Sequence, residues 1–135
     1  EEWDIPMQPD AFLQLFVDWA NPPFPDTHDL LAALGARHRL ACLSNINPLH
    51  WDKVANQFGI GRYFDHRFLS HEMGMVKPHA PIYEAVIKSL AVSPSDILFL
   101  DDTPENVETA CALGINAHIA HGRSLRQTCE QLGLL

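Results

Sequence analysis

Three short groups of residues carry side chains that could handle a phosphate group and a metal ion. Asp101 and Asp102 are adjacent carboxylates, Ser44 is a hydroxyl followed by Asn45, and Lys77 is a cation that precedes a proline. Two neighbouring carboxylates repel each other unless a cation neutralises them, and carboxylate oxygens suit Mg²⁺. A hydroxyl beside a helix start and a lysine are typical ligands of a phosphate. Together these residue types indicate phosphoryl transfer.

Each group also has a purely structural interpretation. The two acids could only cap a helix, Ser44 and Asn45 could merely turn the chain, and Lys77 could be a solvated surface lysine. The joint order is more specific than its parts, because a hydroxyl, a lysine and an acid pair all stand before helices in a chain of alternating strands and helices. This order favours a single functional site.

The elements that must position these residues follow from the apolar periodicity. Strands are predicted at 40–43, 66–70, 97–100 and 115–120, and helices at 9–20, 26–36, 48–58, 81–90, 104–113 and 124–132. Asn47 and Thr103 are predicted N-caps before prolines at the first helical positions. Strands separated by helices predict an α/β fold with a mostly parallel sheet, and ligands bind at the carboxyl ends of such strands.

Composition narrows the classes of partner. The 135 residues are 47% hydrophobic and 19% charged, with a formal net charge of −8. This acidic balance argues against nucleic acid and anionic membrane surfaces as partners, and no run approaches the length of a membrane span. Three cysteines without paired spacing are interpreted as reduced thiols, which predicts a cytoplasmic protein. The oligomeric state stays open.

The three groups resemble motifs of the haloacid dehalogenase-like hydrolase superfamily. Residues 43–45, 74–78 and 99–102 look like its motifs two, three and four. Residues 44–51 and 101–107 look closest to its sugar-phosphate phosphatase branch, and the phosphatase domain of soluble epoxide hydrolases is also similar. The resemblance covers the chain from about residue 25 to its C-terminus.

The resemblance implies a Rossmann-like three-layer core, Mg²⁺ as cofactor and an aspartyl-phosphate formed from a small phosphorylated metabolite. It also implies the roles of the site residues: Ser44 and Asn45 bind phosphate, Lys77 neutralises it as a catalytic residue, Asp101 and Asp102 hold the metal directly or through its water, and Asn106 supports that site.

One motif of the family has no match. The first motif is a strand that ends in Asp-x-Asp and supplies the nucleophile, and no Asp-x-Asp occurs in this sequence. By resemblance, residues 1–24 are the end of a helical cap with its hinge, and residues 25–135 are the core without its first strand. That strand lies between the strands that end at Ser44 and Asp101 in the family. Without it, the two flanking strands would face an empty slot with unpaired backbone groups. We therefore expect a missing N-terminal segment or a strand from another chain to fill the slot, or the two flanking strands to pair directly.

Three alternatives to a phosphatase remain open from the sequence. A noncatalytic relative could keep the phosphate and metal site without the nucleophile. A 2-haloacid dehalogenase would need no metal, which the adjacent acids disfavour. A zinc site could form from four histidines, although their spacing matches no common ligand pattern: His66, His71, His118 and His121. On the leading interpretation, the 135-residue chain by itself is expected to be inactive.

Overall fold

The structure is a computed structural model that describes residues 6–135 of the chain. The described helices are α1 (Pro9–Asp18), α2 (Thr27–Gly35), α3 (Pro48–Asp52), α4 (Ser70–Met73), α5 (Ala80–Leu90), α6 (Pro104–Ala112) and α7 (Leu125–Gln131). The described strands are β1 (Ala41–Ser44), β2 (His66–Leu69), β3 (Leu98–Asp101) and β4 (Asn116–Ile119). The alternating order of strands and helices after β1 confirms the predicted α/β class.

The two predicted N-caps have different outcomes. The Asn47 side chain accepts a hydrogen bond from the backbone N–H of His50, so it caps α3 as predicted. Thr103 occupies the N-cap position of α6, but its side chain makes no capping hydrogen bond. The predicted N-cap position of Thr103 is confirmed, but its hydroxyl lies 3.5 Å from Oδ1 of Asp102 instead of capping the helix, and its backbone N–H donates to the carboxylate of Asp101 at 2.9 Å.

Two stretches differ from the predicted elements. The helix predicted over 48–58 is α3 followed by a π-helical turn at Lys53–Gln57. Gly61 packs closely against this turn, since a Cβ at Gly61 would lie 2.9 Å from the Cβ of Ala55. Helix α4 was not predicted, because one turn of four residues is too short to show helical periodicity.

The described strands form two parallel pairs. Strand β1 pairs with β2 from Ala41↔His66 to Ser44↔Leu69, and β3 pairs with β4 in the same parallel sense. No pairing joins β1 to β3 within residues 6–135, so direct pairing of these strands, one of the three expected outcomes, does not occur there. We call the β1–β2 pair and the β3–β4 pair the two half-sheets. A cavity of about 730 Å³ lies between them and is lined by residues of β1 and β3. The described part of the chain therefore contains the slot that the sequence predicted.

Two apolar clusters cover opposite faces of the half-sheets. The first consists of Ile82, Tyr83, Ala110 and Ile115 and packs against Leu43 and Phe99. The second consists of Leu30, Leu34 and Cys129 and packs against Leu40 and Leu100. Phe99 contacts the first cluster and Leu100 contacts the second. Because successive side chains of a strand point to opposite faces, the two clusters lie on opposite sides of the sheet. Helices α5 and α6 lie on one side and α2 and α7 on the other, which confirms the three-layer arrangement.

The segment before these layers is less buried. Helix α1 belongs to the predicted cap and hinge at residues 1–24, of which the first five lie outside the described residues, and none of its own residues is buried. Among residues 6–135, no helix is long and apolar enough to cross a membrane.

Candidate active site

The carboxyl ends of β1 and β3 bring distant parts of the sequence together. The Lys77 ammonium donates to Oδ2 of Asp101 at 2.5 Å, and the two side chains are only 10% and 8% exposed. The same ammonium lies 5.6 Å from the ring centroid of Phe99, close enough for a cation–π contact. Lys77 follows α4, on the side of the β1–β2 half-sheet, so this ion pair links the two half-sheets across the slot.

Asn45 fixes the backbone of Lys77. Its Nδ2 donates to the Lys77 carbonyl at 2.8 Å, and the Lys77 N–H donates to its Oδ1 at 2.8 Å. This pair of hydrogen bonds ties the loop that carries Lys77 to the turn after β1. Both polar atoms of the Asn45 side chain thus have a backbone partner, and its predicted contact with phosphate stays a prediction.

Asp101 has donors on both carboxylate oxygens. Oδ1 accepts from Nδ2 of Asn106 and from the N–H of Thr103, both at 2.9 Å, while Oδ2 faces Lys77. Burial acts to raise the pKa of Asp101, but these three donors outweigh it and hold the pKa below its ordinary value of 3.8. Asp101 is therefore a carboxylate at neutral pH.

Asn106 is itself held in place. Its side chain is buried, and its backbone carbonyl accepts from the hydroxyl of Tyr83 at 3.0 Å. Burial, followed by the charge of Asp101, raises the pKa of Tyr83 to about 12, so this hydroxyl keeps its proton and stays a donor. The structure thus places Asn106 against Asp101, where the sequence predicted a supporting residue.

Asp102 and Ser44 are the two remaining predicted site residues at strand ends. Asp102 is exposed, lines the cavity and takes part in no ion pair among residues 6–135. Ser44 is half-buried in the last position of β1, opposite Leu69. An unpaired carboxylate next to a fixed one is a donor set that suits Mg²⁺, which is commonly bound through one or two carboxylates plus phosphate and water oxygens.

The histidines do not form the alternative zinc site. Within the described part of the chain, no three or more His, Cys, Asp or Glu side chains form a group that could hold a metal. His66 lies on β2 and accepts from the Arg39 guanidinium, whereas His118 lies on β4 and contacts Asn116. The two half-sheets thus separate these histidines.

Two residues that hold the turn after β1 were missed from the sequence. The Ser70 hydroxyl accepts from the N–H of Ile46 at 2.9 Å and donates to its carbonyl at 3.1 Å. The His71 ring lies 2.8 Å from the same carbonyl through Nδ1. Ser70 directly follows β2, so the strand-end rule that identified Ser44 could also have identified it.

Known proteins match most of the chain. The model of the family described as haloacid dehalogenase-like hydrolase matches residues 4–114. The D-ribitol-5-phosphate phosphatase of Bacteroides thetaiotaomicron is 32% identical over 92 residues, which cover 64% of this chain and 45% of that protein. The haloacetate dehalogenase H-2 of Moraxella sp. is 33% identical over 93 residues, which cover 68% of this chain and 42% of that protein.

A solved structure of the same family superposes on this chain. A variant of a haloacid dehalogenase family enzyme from Bacteroides thetaiotaomicron, in complex with magnesium and inorganic phosphate, superposes with a TM-score of 0.74 at 30% identity. The match covers 86% of this chain and 63% of that one, and the chain spans less than half the length of the two curated relatives. The family match and the shared fold show that the chain belongs to the haloacid dehalogenase-like hydrolases.

Proposed function

We propose that the protein containing this chain is a magnesium-dependent phosphatase that acts on a small phosphorylated metabolite. The observation that carries the proposal is the buried Lys77–Asp101 pair near the carboxyl ends of β1 and β3. Asp102 directly follows Asp101, and Ser44 directly precedes Asn45, which holds the Lys77 backbone. The likeness to a sugar-phosphate phosphatase supports the choice of substrate class.

The residues divide into phosphate ligands and metal ligands. Ser44 and Asn45, at the turn after β1, bind phosphate oxygens, and Lys77 neutralises the phosphate charge. Asp101 and Asp102 hold Mg²⁺ directly or through its water, and Asn106 orients Asp101. When bound, Mg²⁺ supplies positive charge that stabilises the phosphate oxygens during transfer.

The nucleophile is assigned to a segment outside these 135 residues. An aspartyl-phosphate requires a carboxylate in line with the phosphorus atom. Asp101 and Asp102 suit this role poorly, because binding Mg²⁺ would engage both carboxylates and lower their nucleophilicity. We infer that a short apolar strand occupies the cavity between β1 and β3, where it satisfies their unpaired backbone groups and ends in the nucleophilic aspartate.

The same proposal covers domains and location. We infer that residues 1–24 are the end of a helical cap with its hinge, and that residues 25–135 are the core. The exposed apolar surface of α1 supports the assignment of the first segment to the cap and not to the core. The three free cysteines support a cytoplasmic location.

A dehalogenase is the second candidate. The observation that favours it is the likeness to haloacetate dehalogenase H-2. The unpaired carboxylate of Asp102 beside Asp101 favours the phosphatase, because dehalogenation in this family needs no metal site. A noncatalytic phosphate-binding protein is a third outcome, since the sequence contains no Asp-x-Asp.

One assay separates these candidates. The protein that includes this chain and the sequence before it is incubated with sugar phosphates, an aryl phosphate and 2-haloacids, with Mg²⁺ or with EDTA. We expect phosphate release that requires Mg²⁺, and none from the 135-residue chain alone. Chloride release in EDTA would identify a dehalogenase, and binding of phosphate without turnover by the longer protein would identify a noncatalytic relative.

A further inference from the structure

Tyr83 is a fully buried tyrosine to which the proposed mechanism gives no role. It is the fourth residue of α5, it is 0% exposed, and it lines the cavity between the half-sheets. A phenylalanine would fill the same space without a hydroxyl, and burying a hydroxyl is unfavourable unless it finds a hydrogen-bond partner. The partner of this hydroxyl therefore indicates what the tyrosine contributes.

The hydroxyl donates to a backbone carbonyl close to the Lys77–Asp101 pair. Its acceptor is the carbonyl of Asn106 at 3.0 Å, in the first turn of α6. A carbonyl inside a helix also accepts from the N–H four residues later, so the helix by itself satisfies this group. The bond from Tyr83 is thus a second constraint on a turn whose Asn106 side chain donates to Asp101 at 2.9 Å.

The ring of Tyr83 is linked to the lysine of the pair through Phe99. The two aromatic rings meet edge to face, with centroids 5.8 Å apart and planes at 85°. The Lys77 ammonium lies 5.6 Å from the centroid of the same Phe99 ring. Tyr83 is therefore linked to Asp101 through Asn106 and to Lys77 through Phe99, and the ion pair closes this ring of contacts.

The two helices joined by Tyr83 are not capped by side chains at their starts. The N-cap residues His79 of α5 and Thr103 of α6 make no side-chain capping hydrogen bond. Helix α5 follows the loop that carries Lys77, and α6 follows the strand that ends in Asp101. Because Tyr83 joins these helices near their starts, it constrains the spacing between the segments that carry the lysine and the carboxylate.

We propose that Tyr83 is a positioning residue with two separable contributions. Its hydroxyl fixes Asn106 against Asp101, in the proposed metal site. Its ring fixes Phe99 against Lys77, in the proposed phosphate site. This inference rests on the proposed function, and Tyr83 acts through these neighbours and not on the reacting atoms. Loss of the hydroxyl should therefore weaken the use of Mg²⁺ alone, whereas loss of the ring should also weaken phosphate binding.

The kinetic test compares Tyr83→Phe with Tyr83→Leu in the longer protein. Tyr83→Phe removes only the hydroxyl, so the Mg²⁺ concentration for half-maximal activity should rise about fivefold. The inhibition constant of inorganic phosphate at saturating Mg²⁺ should stay unchanged. Tyr83→Leu also removes the ring, and both quantities should rise. Tyr63→Phe is the matched control, because Tyr63 is the only other tyrosine of the chain and its hydroxyl contacts His28 and Arg62.

The test distinguishes positioning from a general loss of stability. A destabilised enzyme loses active molecules, which lowers kcat without changing the Mg²⁺ requirement. Tyr83→Phe leaves no buried polar group unpaired, so its thermal unfolding midpoint should lie within a few degrees of the wild type, and the test stands on this variant if Tyr83→Leu does not fold. An unchanged Mg²⁺ requirement in Tyr83→Phe, or an equal shift in Tyr63→Phe, would overturn the inference.

A second measurement does not depend on activity. Amide hydrogen exchange of residues 106–108 should accelerate at least fivefold in Tyr83→Phe and stay unchanged in Tyr63→Phe, while the amides of β1 keep their protection in both variants. Unchanged exchange at 106–108 in Tyr83→Phe would overturn the positioning role. If the longer protein releases no phosphate but this exchange accelerates, the proposed function fails and the positioning of Asn106 by Tyr83 stands.

Discussion

The Lys77–Asp101 centre and helix α1 are held by different means. The side chains of the centre are at most 10% exposed. Thr103 and Asn106 donate to the Asp101 carboxylate, and Asn45 holds the Lys77 backbone. Helix α1 buries no residue, and Trp19 at its end is 72% exposed. The charged groups are therefore preorganised by the interior, whereas α1 lies at the surface.

The largest expected effect comes from Lys77→Ala, which would break the centre. We expect at least a hundredfold loss of phosphate release, because the cation that offsets the phosphate charge is removed. The free energy of unfolding should fall by about 3 kcal/mol, since Asp101 would remain a buried charge without its partner. Urea denaturation and the phosphate assay measure the two effects, and Lys88→Ala on the exposed side of α5 is the control. Activity near that of the wild type would remove Lys77 from the mechanism.

Substitutions of the two adjacent acids should distinguish an effect on protein stability from an effect on Mg²⁺ binding. Asp102→Asn should raise the Mg²⁺ concentration for half-maximal activity at least tenfold, because one charge leaves the proposed metal site. It should change the free energy of unfolding by less than about 0.5 kcal/mol, since Asp102 is exposed. Asp101→Asn is the matched comparison and should affect both quantities. An unchanged Mg²⁺ requirement in Asp102→Asn would contradict its role as a metal ligand.

A smaller effect is expected from the residue that holds the Lys77 backbone. Asn45→Ala removes two hydrogen bonds of 2.8 Å and should lower the free energy of unfolding by about 2 kcal/mol. Asn45→Asp keeps the acceptor for the Lys77 N–H but turns a carboxylate oxygen toward the Lys77 carbonyl, where two acceptors repel, so it should not restore the stability of the wild type. Chemical denaturation of both variants measures the difference. Equal stability of Asn45→Ala and the wild type would show that this pair of hydrogen bonds does not hold the centre together.

The smallest expected effect is the loss of the stability that Asp101 contributes when the pH is lowered. The pKa of Asp101 is lower in the folded protein than its ordinary value of 3.8. Its contribution to stability is therefore present above about pH 4 and is lost as the pH falls through the lowered folded value. Thermal unfolding of the wild type and of Asp101→Asn should thus converge as the pH falls below 4. Parallel curves down to pH 2 would mean that the Asp101 carboxylate gains nothing from its partners.

Much of the scaffold around the centre was predictable, because it depends on local patterns. Four apolar residues before Asp101 predicted β3, and Asn47 before a proline predicted the start of α3. The same patterns placed the three polar groups near the carboxyl ends of strands. The slot between β1 and β3 was predicted because the sequence contains no match to the first motif of the family.

The contacts that complete the site could not be predicted, because they join residues that are distant in sequence. The ion pair between Lys77 and Asp101 and the hydrogen bonds from Asn45 to Lys77 depend on how the half-sheets face each other. The contact of His50 with Phe16 spans 34 positions and leaves no periodic signal. The hydrogen bond from the Thr103 N–H to Asp101 is local, but it depends on the rotamer of Asp101.

The most direct test of the account is a crystal structure of the longer protein with Mg²⁺ and inorganic phosphate. We expect a phosphate within about 3 Å of Ser44 Oγ and Lys77 Nζ. We also expect Mg²⁺ bound through Asp102, and an apolar strand paired with both β1 and β3. A phosphate bound away from these strand ends, or an empty slot between the half-sheets of the longer protein, would contradict it.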